Sequence, residues 1–462
     1  MSALVYGGMG VLWAAGVICS PGVTFMLIVS LTVGAFVARR AEPQERRFLL
    51  WLYGLAVGVR IALAAILHLW AQGHGQGYAL YGQEAFDVFG DSAFYSLRAW
   101  WIAQAWLGQV DGVVLDQPTI FGDQGNAIVH LYSAFHYLFG FSQLGVKLIN
   151  CLLGALTAVI SYLLARELCG RAGGRIAAGL VAFFPSTLLW SLGNLKDTPT
   201  ALALMWMAWG VVLMLQRKTR WMLVPHLAGA IILLWSVRPL LVAPVLVCYG
   251  LGLGWHLAWR RWRGRAGVGA LLLVAAMAFF LPMRAEVAPV TFWQETLAQR
   301  AYQLMGFQRS HALTLGSAYR IYDDHIYQAS FTGLSSWPVS VRGVGRALAR
   351  GLAYFLLAPA PWQITTALQV ASLPEMLLWY PLLLMGGWGM WLTWKTHPAV
   401  TSTLVLLILV LTLLMALSTG NLGVAFRHRG IVIPLYLVFS AAGLGGTVQW
   451  LRRRREATVH LL

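Results

Sequence analysis

Few residues in this 462-residue chain can do charged chemistry: it holds 16 Asp and Glu against 33 Lys and Arg, and only 11% of it is charged. The positions of the acids are therefore informative. Asp91 in "FGDSAFYSLRAWW", Lys196 and Asp197 in "GNLKDTP", Arg238 in "SVRP", and Arg427, His428 and Arg429 in "FRHRG" each stand at the edge of an apolar stretch. A carboxylate within hydrogen-bond reach of a hydroxyl can act as a general base. Arg grips phosphate oxygens bidentately and Lys neutralises them as a point charge. Charges at a membrane boundary are costly unless paired or functional, so a lipid phosphate is a natural ligand for the cations.

Each feature also has a structural reading. Asp91 begins an amphipathic helical pattern, so it can cap that helix. Asp197 precedes Thr198 and Pro199, a first-turn pattern that also reads as a cap. Arg238 before Pro239 can anchor a turn to headgroups, and "RHR" can bind headgroups as a basic edge. "GHGQGYALYGQ" at 73–83 lacks the Lys and Ser or Thr of a phosphate loop and reads as a flexible loop. "YDDHIY" at 322–327 reads as a solvated loop, because adjacent acids rarely complete a metal site.

The elements that must position these residues are membrane helices. Hydrophobic residues make up 59% of the chain, in continuous runs that approach the roughly 20 residues needed to cross hydrocarbon. The fold class is all-α, a polytopic helical membrane protein; short alternating segments of a β-barrel are absent from the pattern. The formal net charge of +17 falls in short clusters at 39–47, 217–220, 260–265 and 452–455. That pattern is positive-inside, so charge reports topology and not nucleic-acid binding. The N-terminus lacks a basic n-region and a cleavage site. The four cysteines show no metal-ligand spacing.

Placing the basic clusters in the cytoplasm gives roughly 11–13 spans, with a cytoplasmic C-terminus. Residues 71–142 and 284–345 then become outer loops of a single membrane domain, 1–462. Asp91, Lys196, Asp197, Arg238 and "RHR" all fall on the extracytoplasmic side. The segment 347–366, interrupted by "APAPW", reads as re-entrant or interfacial.

Two stretches resemble a known superfamily. "FGDSAFYSLRAWWIAQ" is similar to the first outer loop of the C-type glycosyltransferases, which include protein O-mannosyltransferases and bacterial lipid A aminoarabinose transferases. Residues 144–210 resemble that group's central block: a small-residue-rich span, a basic turn, a span ending in Pro, and a loop acid. The resemblance covers about residues 48–260. It implies Asp91 as catalytic base, Asp197 as the second-loop acid, and Lys196 and Arg238 as phosphate contacts. Arg427, His428 and Arg429 are carried over only as a lipid-phosphate site. Ser92 stands where the family often has a second acid, and Asp87 lies four residues upstream of Asp91, which leaves any metal role open.

The implied reaction is transfer of a sugar from a polyprenyl-phosphate donor to a lipid, glycan or protein acceptor at the outer face of a plasma (bacterial inner) membrane. Single displacement with one base predicts inversion. No cofactor is required by the sequence, and a divalent metal is compatible with it. An O-antigen polymerase or ligase, or a lipid-linked sugar flippase, is the alternative. The first would be expected to carry a longer, more basic outer loop, and the second to place charges along a central path.

Overall fold

The computed structural model describes residues 20–110, 127–216, 223–262, 341–360, 364, 367–420 and 422–459. Residues 1–19, most of the 284–345 loop and "YDDHIY" at 322–327 lie outside the described residues. Thirteen helices and one small hairpin are described. The helices are α1 (Pro21–Arg40), α2 (Pro43–Gly73), α3 (Gly90–Trp106), α4 (Ala127–Phe139), α5 (Gln143–Phe183), α6 (Pro185–Leu189) and α7 (Asp197–Leu215). They continue with α8 (Leu223–Val237), α9 (Pro239–Trp262), α10 (Val341–Leu357), α11 (Ala367–Thr396), α12 (Pro398–Ser418) and α13 (Leu422–Val459). Seven helices among the described residues are long and apolar enough to cross a membrane. The chain is a polytopic helical membrane protein.

Local chemistry sets several boundaries. Pro21 and Pro43 open α1 and α2, where a missing N–H costs nothing. Within α5 the path breaks at Cys169 (φ −138°) and Gly170 (φ 76°). This break falls in "RELCGRAGGR", where the hydropathy pattern places a turn between two spans. The segment that opens with Val341 is a regular helix to Leu357.

The structure corrects the expectation of a flexible loop after α2. Strands β1 (Gly77–Leu80) and β2 (Gln83–Phe86) pair antiparallel, with Leu80 opposite Gln83 and Gly77 opposite Phe86. The two turn residues, Tyr81 (φ 50°) and Gly82 (φ 78°), take the left-handed conformations that a two-residue hairpin turn requires. Gly77 is obligatory, because a Cβ there would lie 2.1 Å from the Ala85 carbonyl oxygen. The hairpin docks on α3 through a buried cluster of Ala85, Ala93 and Leu97 under Leu80 and Phe141. Trp101 Nε1 donates to the Leu80 carbonyl at 3.2 Å.

The chain forms two compact units. The first comprises residues up to 163 with 178–207 and 225–239; the second comprises 164–177, 208–224 and 240 onward. In the second unit α11 and α13 lie backbone to backbone. A Cβ on Gly389 would fall 1.8 Å from the Phe439 carbonyl oxygen, and one on Gly443 would fall 2.1 Å from that of Met385. Small residues at the crossing permit this approach, as in membrane helix pairs generally. Trp379 Nε1 and Tyr380 Oη of α11 donate to the Leu356 and Leu357 carbonyls, each at 2.7 Å. They satisfy acceptors that the end of α10 leaves open.

Candidate active site

The start of α3 is organised by an acid that lies before the helix. The expectation that Asp91 caps α3 is corrected: the N-cap position is Phe89, and Asp91 sits inside the first turn. Asp87, two residues before the N-cap, fixes the entry to the helix. Its Oδ1 accepts from the Phe89 backbone N–H at 3.1 Å, and its Oδ2 accepts from Ser92 Oγ at 2.5 Å. Lys147 of α5 approaches that same Oδ2 to 3.0 Å, and both side chains are nearly sealed from solvent, at 2% and 3% exposure. Burying two charges is tolerable only with such pairing and additional hydrogen bonds. The pair pins α5 to the hairpin and to the first turn of α3.

Ser92 carries the arrangement onward. Its Oγ also accepts from the Asn194 backbone N–H at 2.7 Å, while Asn194 Nδ2 donates to Ser96 Oγ at 2.6 Å. Asn150 of α5 clamps the same loop, donating from Nδ2 to the Gly193 carbonyl at 2.6 Å and to the Leu195 carbonyl at 2.8 Å. Tyr132 Oη donates to Asn150 Oδ1 at 3.3 Å. Burial drives the Tyr132 phenol well above its ordinary range, with the Asp197 carboxylate adding to the effect, so the donor stays protonated. Gly193 is required by this close fit: a Cβ would meet the Phe89 ring at 2.9 Å and Ser92 Oγ at 3.0 Å.

The loop delivers Lys196 and Asp197 to the start of α7. The Lys196 carbonyl accepts from the Thr200 N–H at 3.2 Å and the Thr200 hydroxyl at 2.6 Å, so the chain enters the helix at this residue. Asp197, at 2% side-chain exposure, binds Arg238 Nη2 through Oδ1 at 2.6 Å. Arg238 links the end of α8 to the start of α9, and its Nε is buried without a hydrogen-bond partner among the described residues.

The first unit therefore gathers Asp91, Lys196, Asp197 and Arg238 around two helix N-termini, where backbone N–H groups favour negative charge. Asp91 is exposed, Lys196 is half-buried, and Asp87 and Asp197 are buried. Arg427, His428 and Arg429 belong to the second unit. There Arg427 and His428 are half-buried, and His428 Nδ1 makes a long 3.4 Å contact with Thr419 Oγ1. Arg429 is 1% exposed. It donates to the Ala358 carbonyl and to Met376 Sδ, under the electrostatic influence of Glu375. It thus braces α13 against the end of α10 and against α11.

The sequence reading passed over Lys147, Asn150 and Arg60, and it named Asp87 without giving it a role. The signal was present in "QLGVKLIN" and "GLAVGVRIAL", where a lone cation sits in an apolar run, a costly placement that asks for a partner. Arg60 is 0% exposed and donates from Nε to Ser191 Oγ at 2.9 Å and from Nη1 to the Ala56 carbonyl at 3.1 Å. It lies beneath the 191–197 loop. Among the described residues no three His, Cys, Asp or Glu side chains come together to hold a metal ion.

Residues 124–285 match a family model described as dolichyl-phosphate-mannose-protein mannosyltransferase. Over these residues the chain is similar to that family, in keeping with the resemblance to C-type glycosyltransferases. The segment holds Lys147, Asn150, Lys196, Asp197 and Arg238; Asp91 and "RHR" lie on either side of it. No curated protein matches the chain. Among solved structures, the archaeal oligosaccharyltransferase AglB from Archaeoglobus fulgidus, in complex with an inhibitory peptide and a dolichol-phosphate, is similar at 15% identity and a TM-score of 0.47, over 90% of this chain and 52% of that one. The apo form of an oligosaccharyltransferase from the same organism is similar at 14% identity and a TM-score of 0.42, over 88% of this chain and 52% of that one. The chain spans about half the length of the solved proteins that it matches.

Proposed function

We propose that the chain transfers a sugar from a polyprenyl-phosphate donor to an acceptor hydroxyl at the extracytoplasmic face of the membrane, with Asp91 as general base. The observation that carries the base assignment is the contrast among three acids at one locus. Asp87 and Asp197 are buried in ion pairs with Lys147 and Arg238, whereas Asp91 is exposed in the first turn of α3. The match of residues 124–285 to a family named for its dolichyl-phosphate-mannose donor supports the substrate class.

In this reading Asp91 takes the acceptor proton as the acceptor oxygen bonds to the anomeric carbon. The bond from that carbon to the phosphate oxygen breaks, and its electron pair stays on the phosphate. One displacement inverts the anomeric centre. Stabilising the leaving phosphate matters more than protonating it, and in this reading Lys196 and the N–H groups of Arg238 not bonded to Asp197 do so in the first unit. In the second unit Arg427 and His428 are proposed lipid-phosphate contacts in their own right, with Arg429 bracing the helix that carries them. The membrane is the plasma membrane, with a cytoplasmic C-terminus. The test is transfer from radiolabelled polyprenyl-phosphate sugars in membranes containing the chain. Label appearing in product with inverted configuration supports the reading, and no transfer from any lipid-phosphate sugar opposes it.

A further inference from the structure

A cavity of about 430 Å³ opens where the hairpin meets the end of α2, lined in part by His68, Gln72, Gln83, Glu84, Phe86 and Phe141. Its volume falls in the roughly 300–1,000 Å³ range of small-molecule sites. It borders the Asp87–Lys147 pair through His68 and the Phe86 carbonyl, each 3.4 Å from Lys147 Nζ, and the function proposed above gives it no task.

The chemistry of the lining narrows the occupant. Three amides, from Gln72, Gln83 and Gln143, a carboxylate and an imidazole line the space beside two aromatic rings. The Glu84 carboxylate and the Gln72 amide make no side-chain hydrogen bond among the described residues, and Gln83 donates only to the Glu84 carbonyl, at 3.3 Å. His68 Nδ1 faces the Phe86 carbonyl at 3.3 Å and Lys147 Nζ at 3.4 Å, which leaves its Nε2 unused among the described residues. The nearby cation, Lys147, is committed to Asp87 at 3.0 Å. The wall charge is therefore acidic, which disfavours a phosphate or carboxylate and separates this cavity from any seat for the donor's phosphate.

A peptide strand is disfavoured by a different feature. Addition to a sheet edge needs free backbone groups, but at Phe86 both are occupied. Gln143 Oε1 accepts from the Phe86 N–H at 3.1 Å, and its Nε2 donates to the Phe86 carbonyl at 2.9 Å. The side-chain amide closes that edge much as a neighbouring strand would.

We infer that the cavity is a saccharide-binding site that receives the acceptor as a glycan. Amides and carboxylates suit the paired hydroxyls of a sugar ring, and Phe86 and Phe141 suit its apolar face. Only the assignment of the bound glycan as acceptor rests on the transferase reading; the binding itself does not.

The full chain, in an amine-oxide detergent that carries no sugar headgroup, is titrated with cellobiose, maltose and N,N′-diacetylchitobiose, and saturation-transfer NMR reads the binding. At least one saccharide binds saturably. Glu84→Gln, on the hairpin, and Gln72→Ala, on α2, each weaken it about tenfold, the size of a hydrogen bond to a charged or buried polar group. Asp91→Asn lowers transfer by about 10²–10⁴-fold while at least one saccharide still binds saturably. Saccharide binding by a wild-type chain that transfers no sugar defeats the transferase reading and leaves this site standing. No saturable binding by any of the three sugars, binding untouched by both substitutions, or displacement by inorganic phosphate or by a peptide overturns the inference.

Discussion

Replacing Lys147 by Met tests whether the site is held by the buried Asp87–Lys147 pair. The substitution keeps length and apolar volume but strands a carboxylate at 3% exposure with only the Phe89 N–H and the Ser92 hydroxyl to satisfy it. Removing one partner of a buried pair costs about 3–5 kcal/mol. Asp87→Asn retains the shape and leaves the ammonium near the Phe86 carbonyl, at 3.4 Å. The double variant removes both charges and is expected to lose less than the sum of the singles, with a coupling of about 1–3 kcal/mol. Unfolding by SDS titration in mixed micelles gives the four free energies. Because Ser92 and the first turn of α3 depend on Asp87, transfer should fall about 100-fold in each single variant, the effect of a roughly 1 Å displacement of a reacting group. Additivity within about 0.5 kcal/mol, or a Lys147→Met chain as stable and active as wild type, refutes the reasoning.

Arg238→Met leaves the Asp197 carboxylate buried without its guanidinium and should destabilise by about 3–5 kcal/mol, whereas Asp197→Asn, which keeps an acceptor oxygen, costs less in the same titration. Burial pushes His136, outside the long spans, down to about 4 from an ordinary 6.5. Opened chains bind a proton between those values that folded chains refuse, so stability rises with pH there. The α3–α4 region should lose up to about 3 kcal/mol of protection as pH falls from 6.5 toward 4, read by hydrogen exchange, and His136→Gln should flatten the profile. Gly389→Ala should destabilise by about 1–3 kcal/mol through overpacking against α13, while Gly387→Ala, with nothing within 4 Å of its added Cβ, should not.

What sequence made legible was local. The helix after Asp91, the break at Cys169 and Gly170, and the helix beginning at Asp197 each follow from residues within one turn of the feature. The hairpin was missed because glycines and polar residues interrupt its alternation, so its pairing rests on the Tyr81–Gly82 turn and on docking to α3. The pairing of charges was illegible for another reason. Lys147 lies 61 residues from the Phe86 carbonyl that it reaches, and Arg238 lies 41 from Asp197; only folding brings them together. Hydropathy placed Arg429 at a boundary, yet the close passage of α11 and α13 buries it beneath the end of α10.

The central claim is that Asp91 removes the acceptor proton. The most direct measurement is the rate of sugar transfer by Asp91→Asn in membranes, at saturating donor, with the chain shown to be folded and present at wild-type level. A general base contributes about 10²–10⁴-fold. The account predicts a fall in kcat of that size, with the KM for the lipid-phosphate sugar within a few-fold of wild type. A variant that transfers at the wild-type rate contradicts it.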